Sequence, residues 1–217
     1  MEKYLKETTM LDYSNEKIQK LIKERKWNEL DEFECIRDIY NFVRDEILFG
    51  YNIDDSLPAS KVLADGFGQC NTKGTLFMAL LRACNIPCRI HGFMIDKKLQ
   101  KGAMTGIVYK NAPQKVFHSW VEVYHENQWY ELEGYILDIM YLRKLQNKNK
   151  KCTGTFCGYG VAVKDFQLTL TEIIHISKAR ELLWISEYMI HPTIYFKYII
   201  RKCQQLKHLY ISIWAGI

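Results

Sequence analysis

Apolar residues recur at helical spacing in several stretches of the chain and alternate at strand spacing in others. Residues 14–26 mix charged positions with a narrow apolar stripe and predict an amphipathic helix. A longer helix follows, with Asn28 as its candidate cap and Ile36, Tyr40, Val43 and Ile47 at helical spacing, and it stops near Gly50. The stretch Asn52-Ile53-Asp54-Asp55-Ser56-Leu57-Pro58 has turn chemistry and reads as a loop. A short helix over Ala59 to Ala64 ends at Gly66. The next pattern opens at Cys70 and runs to about Cys84. Its Leu76, Phe77, Leu80, Leu81 and Cys84 form an apolar stripe, so this helix is expected at the centre of the fold. Asn85-Ile86-Pro87 ends it, because proline cannot continue the ladder.

Strand patterns cover Cys88 to Ile95, 116–124 and 129–133. A glycine-rich loop from Thr153 to Gly160 leads to a further strand expected at Val161 to Val163. From about Thr171 the pattern turns helical, with Leu183, Trp184, Ile185, Tyr188 and Ile190 available for packing. Helices followed by an antiparallel sheet indicate an α+β arrangement.

Composition narrows the function classes. The chain has 217 residues, 48% of them hydrophobic, which suits one domain with an appended tail. Its net charge of +5 is mild, and the lysine runs at 97–98 and 148–151 are not interleaved with aromatics. They read as solvated loops, and no nucleic-acid partner is expected. The start carries no apolar signal-peptide core. The aromatic stretch 193–214 contains Lys197, Arg201, Lys202 and Lys207, which favours packed or surface helices over a membrane span. Seven cysteines without a secretion signal indicate reduced thiols and a cytoplasmic setting, with Cys35, Cys84, Cys88 and Cys203 as core residues. Neither Cys84/Cys88 nor Cys152/Cys157 has zinc-knuckle spacing, so no metal and no cofactor is expected. Nothing in the pattern sets an oligomeric state.

The candidate chemistry centres on Cys70. It follows the turn Gly66-Phe67-Gly68-Gln69 and begins a helix, where backbone N–H groups and the positive dipole end favour thiolate over thiol. His118 opens a strand pattern, and Glu131 and Glu133 lie on the next one. A four-residue loop from His125 to Gln128 would pair Tyr124 with Trp129. His118, Trp120 and Glu122 then share a face with Glu131 and Glu133, and Val121, Val123, Tyr130 and Leu132 face the core. Glu133 becomes a diagonal neighbour of His118, with Asp138 as the rival acid in a segment of undetermined orientation. Nucleophile, base and orienting acid are the parts that attack on an amide requires. The Cys70 N–H is placed to serve a developing oxyanion, and Gln69 or Trp120 is a candidate to assist or to wall the site. His91, His175 and His191 read as satisfied structural groups.

These residues resemble the transglutaminase-like superfamily of papain-type cysteine enzymes. The likeness rests on Gly68-Gln69-Cys70-Asn71-Thr72-Lys73, on Leu80-Leu81-Arg82-Ala83-Cys84-Asn85-Ile86-Pro87-Cys88-Arg89, on His118-Ser119-Trp120-Val121-Glu122-Val123-Tyr124 and on Trp129-Tyr130-Glu131-Leu132-Glu133. It implies a papain-like core in which the cysteine-bearing helix packs on an antiparallel sheet, with helical additions at both ends. The domain would span 1–165, with its motifs in about 30–140, and 166–217 would be a helical extension. By this resemblance Cys70 is the nucleophile, His118 the base and Glu133 the acid. Asn85 stands where the family has glycine, and Glu133 where it has aspartate; an aspartate variant is therefore expected to keep activity. The implied reaction is acyl transfer from an amide of a peptide or protein through a thioester, ending in proteolysis, deamidation or transamidation. The alternatives are a catalytically inactive binding module of the same fold and a docking protein led by the aromatic tail.

Overall fold

Side chains that cap their own first turn start the two N-terminal helices. In a computed structural model, which describes residues 1–101 and 104–148, Asn15 accepts from the Lys17 N–H at 3.0 Å and begins helix α1 (Glu16–Arg25). Asp31 accepts from the Glu34 N–H at 2.9 Å and begins α2 (Glu32–Asp45). The cap is therefore Asp31 and not Asn28. Lys26 turns left-handed at φ 55°, and Trp27–Glu29 form a separate 3-10 turn anchored by the buried Trp27 indole. Ile36, Tyr40 and Val43 are buried on α2 as the spacing requires, and Ile47 is buried just past its end.

A two-residue parallel pair, β1 (Leu48–Phe49) with β2 (Phe67–Gly68), brackets helix α3 (Ala59–Asp65). Gly66 closes α3 at φ 70°. Helix α4 (Cys70–Ala83) then runs through the core, with Leu76, Phe77, Ala79, Leu80 and Leu81 fully buried. Its far end is a Schellman motif. The Ile86 N–H donates to Leu81 C=O and the Asn85 N–H to Arg82 C=O, each at 2.9 Å, with Asn85 left-handed at φ 59°.

The sheet has the order β3-β4-β5, antiparallel throughout: β3 (Cys88–Asp96), β4 (Lys115–His125) and β5 (Gln128–Leu132). Helix α4 packs on β3 and β4. The hairpin pairs Tyr124 with Trp129, the expected register. Its loop is shorter than expected, because His125 and Gln128 also pair and only Glu126 and Asn127 turn, both at positive φ, 46° and 64°. That is a two-residue turn whose twist matches the strands. Val121, Val123 and Leu132 are buried, whereas Tyr130 is only half-buried and packs beside the His125 ring, because β5 is an edge strand. The ladder ends at Leu132, so Glu133 lies one residue beyond the strand.

Two helices escaped the sequence pattern: α5 (Gly106–Asn111), between β3 and β4, and α6 (Ile139–Lys148). The loop 153–160, the strand at 161–163, the helical tail, Cys203, His175 and His191 lie outside the described residues. Among the described residues no helix is long and apolar enough to cross a membrane.

Candidate active site

The turn before Cys70 is held from three sides. Leu48 N–H donates to Gly66 C=O at 2.9 Å and Gly50 N–H to Gly68 C=O at 3.0 Å. The Gln69 N–H donates to Thr72 Oγ1 at 3.0 Å, and that hydroxyl donates to Asn52 Oδ1 at 2.6 Å. Gly68 permits this closeness: a Cβ there would sit 2.6 Å from Thr72 Oγ1 and 3.2 Å from the Lys73 backbone nitrogen. Cys70 is thereby fixed as the first residue of a fourteen-residue helix, with its side chain half-buried.

His118 sits on the central strand opposite Phe93, whose ring meets the imidazole edge-on at 5.3 Å. The imidazole is 2% exposed and Glu133 is 5% exposed. Glu133 Oε1 lies 2.5 Å from His118 Nε2. The Cys70 side chain also acts on the ring electrostatically. With Nε2 given to the carboxylate, Nδ1 is the nitrogen left for sulfur. Burial alone would push the imidazole towards its neutral form. The influence of Cys70 and of the hydrogen-bonded Glu133 outweighs it and lifts the pKa of His118 to about 10.

The structure thus brings Cys70, His118 and Glu133 together. Asp138 is occupied elsewhere: Oδ2 accepts from Phe49 N–H at 3.0 Å and Oδ1 from Tyr141 N–H at 2.7 Å, which makes it the cap of α6. Both ends of the Gln69 amide are engaged, its oxygen by the Asn52 N–H at 2.8 Å and its nitrogen by Asp55. Trp120 lies against Phe93, ring centroids 4.2 Å apart, on the face that carries His118. Its Nε1 donates to Glu122 Oε1 at 3.4 Å. Glu122 is buried, and although burial opposes its charge, His91 and Arg89 hold its carboxyl down at about 2. His91 stacks on Trp120 and bonds Glu122 at 3.0 Å, so it is a satisfied group as expected. Cys35 and Cys88 are core residues; Cys84 is half-buried at the α4 end.

Three residues near the thiol were not singled out from the sequence. The buried Asn71 accepts at Oδ1 from Ser119 Oγ at 2.7 Å and from the Cys70 thiol at 3.7 Å, so it couples the start of α4 to the strand bearing His118. Tyr135, fully buried, donates to Cys70 C=O at 3.3 Å. Lys73, also fully buried, donates to Ile136 C=O at 3.0 Å and Arg44 C=O at 3.2 Å. Burial is the main cause that lowers the pKa of Lys73 to about 7, against the attraction of Asp138 and Asp45. A lone lysine within the helix that also presents the Leu76–Leu81 stripe was the signal available for it. Tyr135 offered none.

A family model of the transglutaminase-like superfamily matches residues 19–134, more than half the chain. No curated protein matches. Among solved structures, one described as "a Putative Cysteine Protease from Cytophaga hutchinsonii" aligns with 20% identity and a TM-score of 0.47. That alignment covers 64% of this chain and 43% of the other, so the chain spans less than half the length of that structure. On the strength of the family match, this chain belongs to the transglutaminase-like superfamily.

Proposed function

We propose that this protein is a cysteine acyl-transfer enzyme that acts on an amide of a peptide or protein. The observation that carries the reading is the buried His118 imidazole, hydrogen-bonded to Glu133 and under the electrostatic influence of the half-buried Cys70 side chain. In this reading the thiolate of Cys70 adds to the amide carbonyl. His118, protonated at neutral pH, gives its proton to the departing amine. Glu133 holds the ring in register and steadies its charge. The acyl group remains on sulfur as a thioester. Water or an amine, with its proton taken by His118, then attacks the thioester and frees the thiol. Water gives proteolysis or deamidation, and an amine gives transamidation.

The first turn of α4 presents backbone N–H groups at the place where the carbonyl oxygen gains charge. Gln69 supports this turn through Asn52 and Asp55, and Trp120 walls the same face of the sheet. Membership in the superfamily supports the chemistry, and the setting fits a cytoplasmic thiol enzyme.

The test is limited iodoacetamide labelling of the intact protein across pH 5–9, with the modified cysteine mapped. Cys70 is expected to label ahead of every other thiol. His118→Ala is expected to abolish that preference. Uniform slow labelling of all the thiols would sink the reading and leave a binding module.

A further inference from the structure

Glu133 lies outside the β-ladder, whose last pair is Val121 with Leu132. Among the described residues no strand neighbour fixes its backbone, and a turn bond runs from Ile136 N–H to Glu133 C=O at 3.3 Å. Yet its carboxylate must hold within hydrogen-bond distance of an imidazole that belongs to another strand. Something else sets where the 133–138 turn sits.

Asp138 ties the far end of the turn to Phe49 N–H, and two side-chain hydrogen bonds join its middle to α4. The Tyr135 hydroxyl donates to the backbone oxygen of Cys70 itself, and Lys73, one turn along α4, donates to Ile136 C=O while its other bond reaches α2 at Arg44 C=O. Gly74 leaves the space for this: a Cβ there would come 2.9 Å from the Tyr135 oxygen. Packing alone does not explain Lys73. A buried ammonium is costly, and an apolar side chain of the same length would fill the volume without that cost. Its N–H groups are what the site uses. Even a neutral amine keeps two of them, enough for both carbonyls.

We infer that Lys73 and Tyr135 are positioning residues, which dock the 133–138 turn onto the first turns of α4 and so hold the Glu133 carboxylate against His118. The thiol and the acid are then placed by one helix: Cys70 through its own position, Glu133 through the two tethers. The inference rests on the reading of Cys70, His118 and Glu133 as the reacting set, and its test is read on the imidazole, so the two can fail separately.

The experiment is an NMR titration of the His118 ring in the intact wild-type protein and in Tyr135→Phe, Lys73→Met and Glu133→Gln. Circular dichroism and thermal melting are recorded alongside. Glu133→Gln gives the floor, the midpoint without a carboxylate. Tyr135→Phe and Lys73→Met are expected to lower the His118 midpoint towards that floor by about one pH unit. An unchanged midpoint in folded Tyr135→Phe overturns the inference. So does a lower melting temperature with the midpoint unmoved, since that describes a tether for stability alone. If Lys73→Met does not fold, Tyr135→Phe, which removes a single oxygen, decides. A wild-type Cys70 indifferent to iodoacetamide would sink the proposed chemistry and leave the titration result standing.

Discussion

Glu133 approaches His118 from beyond the end of its strand, and the extra methylene of glutamate is what closes the gap to 2.5 Å. An aspartate in its place would fall about one carbon–carbon bond, or about 1.5 Å, short. This reach argues against the expectation from sequence that aspartate would serve as well, and the two variants decide between them. Both Glu133→Gln and Glu133→Asp are expected to slow alkylation of Cys70 at pH 7 by about tenfold or more, a loss equivalent to about 1.4 kcal/mol. An alkylation rate in Glu133→Asp equal to that of the wild type would show that the glutamate length is immaterial. At this scale Cys70, His118 and Glu133, the residues of the proposed reacting set, were legible, because their chemistry and chain order are written in residue type. Asn71, Lys73 and Tyr135 were not, because each acts through a partner brought near only by tertiary folding: Ser119, Ile136 and the Cys70 carbonyl.

The elements with long apolar periodicity, α1, α2, α4 and the three sheet strands, were readable within a few residues of their ends. The pieces missed were the two-residue strands and α5, which show too few turns for a period to stand out, and α6, which is as long as α1 and has no such explanation. The start of α2 was misplaced because Asn28 and Asp31 are both good caps, and the buried Trp27 decides between them. At the other end of α4, the left-handed Asn85 explains why asparagine can replace glycine after this helix. Asn85→Ala is expected to cost about 1 kcal/mol, since an alanine Cβ crowds the following carbonyl oxygen in that conformation. Urea denaturation would read this as a lower midpoint with unchanged slope. The alkylation rate of Cys70, at the opposite end of the helix, should stay the same.

Across the whole molecule two buried bases pull stability in opposite directions as pH rises. His118 has a folded pKa near 10, above its ordinary 6.5. Its contribution is complete below 6.5 and is lost as pH climbs towards 10, because the unfolded chain sheds the proton first. Lys73 has a folded value near 7, below its ordinary 10.5, so its penalty is complete below 7 and fades towards 10.5. The wild-type stability curve between pH 7 and 10 is therefore expected to be flatter than either group alone would give. Urea midpoints across that range should fall more steeply in Lys73→Met than in the wild type. A parallel pair of curves would mean that Lys73 is not held below its ordinary value.

The hydrogen bond between Asn71 and Ser119 joins two segments that the ribosome makes at different moments. Domains form as their chain emerges, N-terminal part first. Helix α4 with its cysteine is translated before the strand that carries the imidazole. A nascent chain thus bears an ordinary sulfhydryl, and the hairpin must dock before that sulfur gains its neighbouring base.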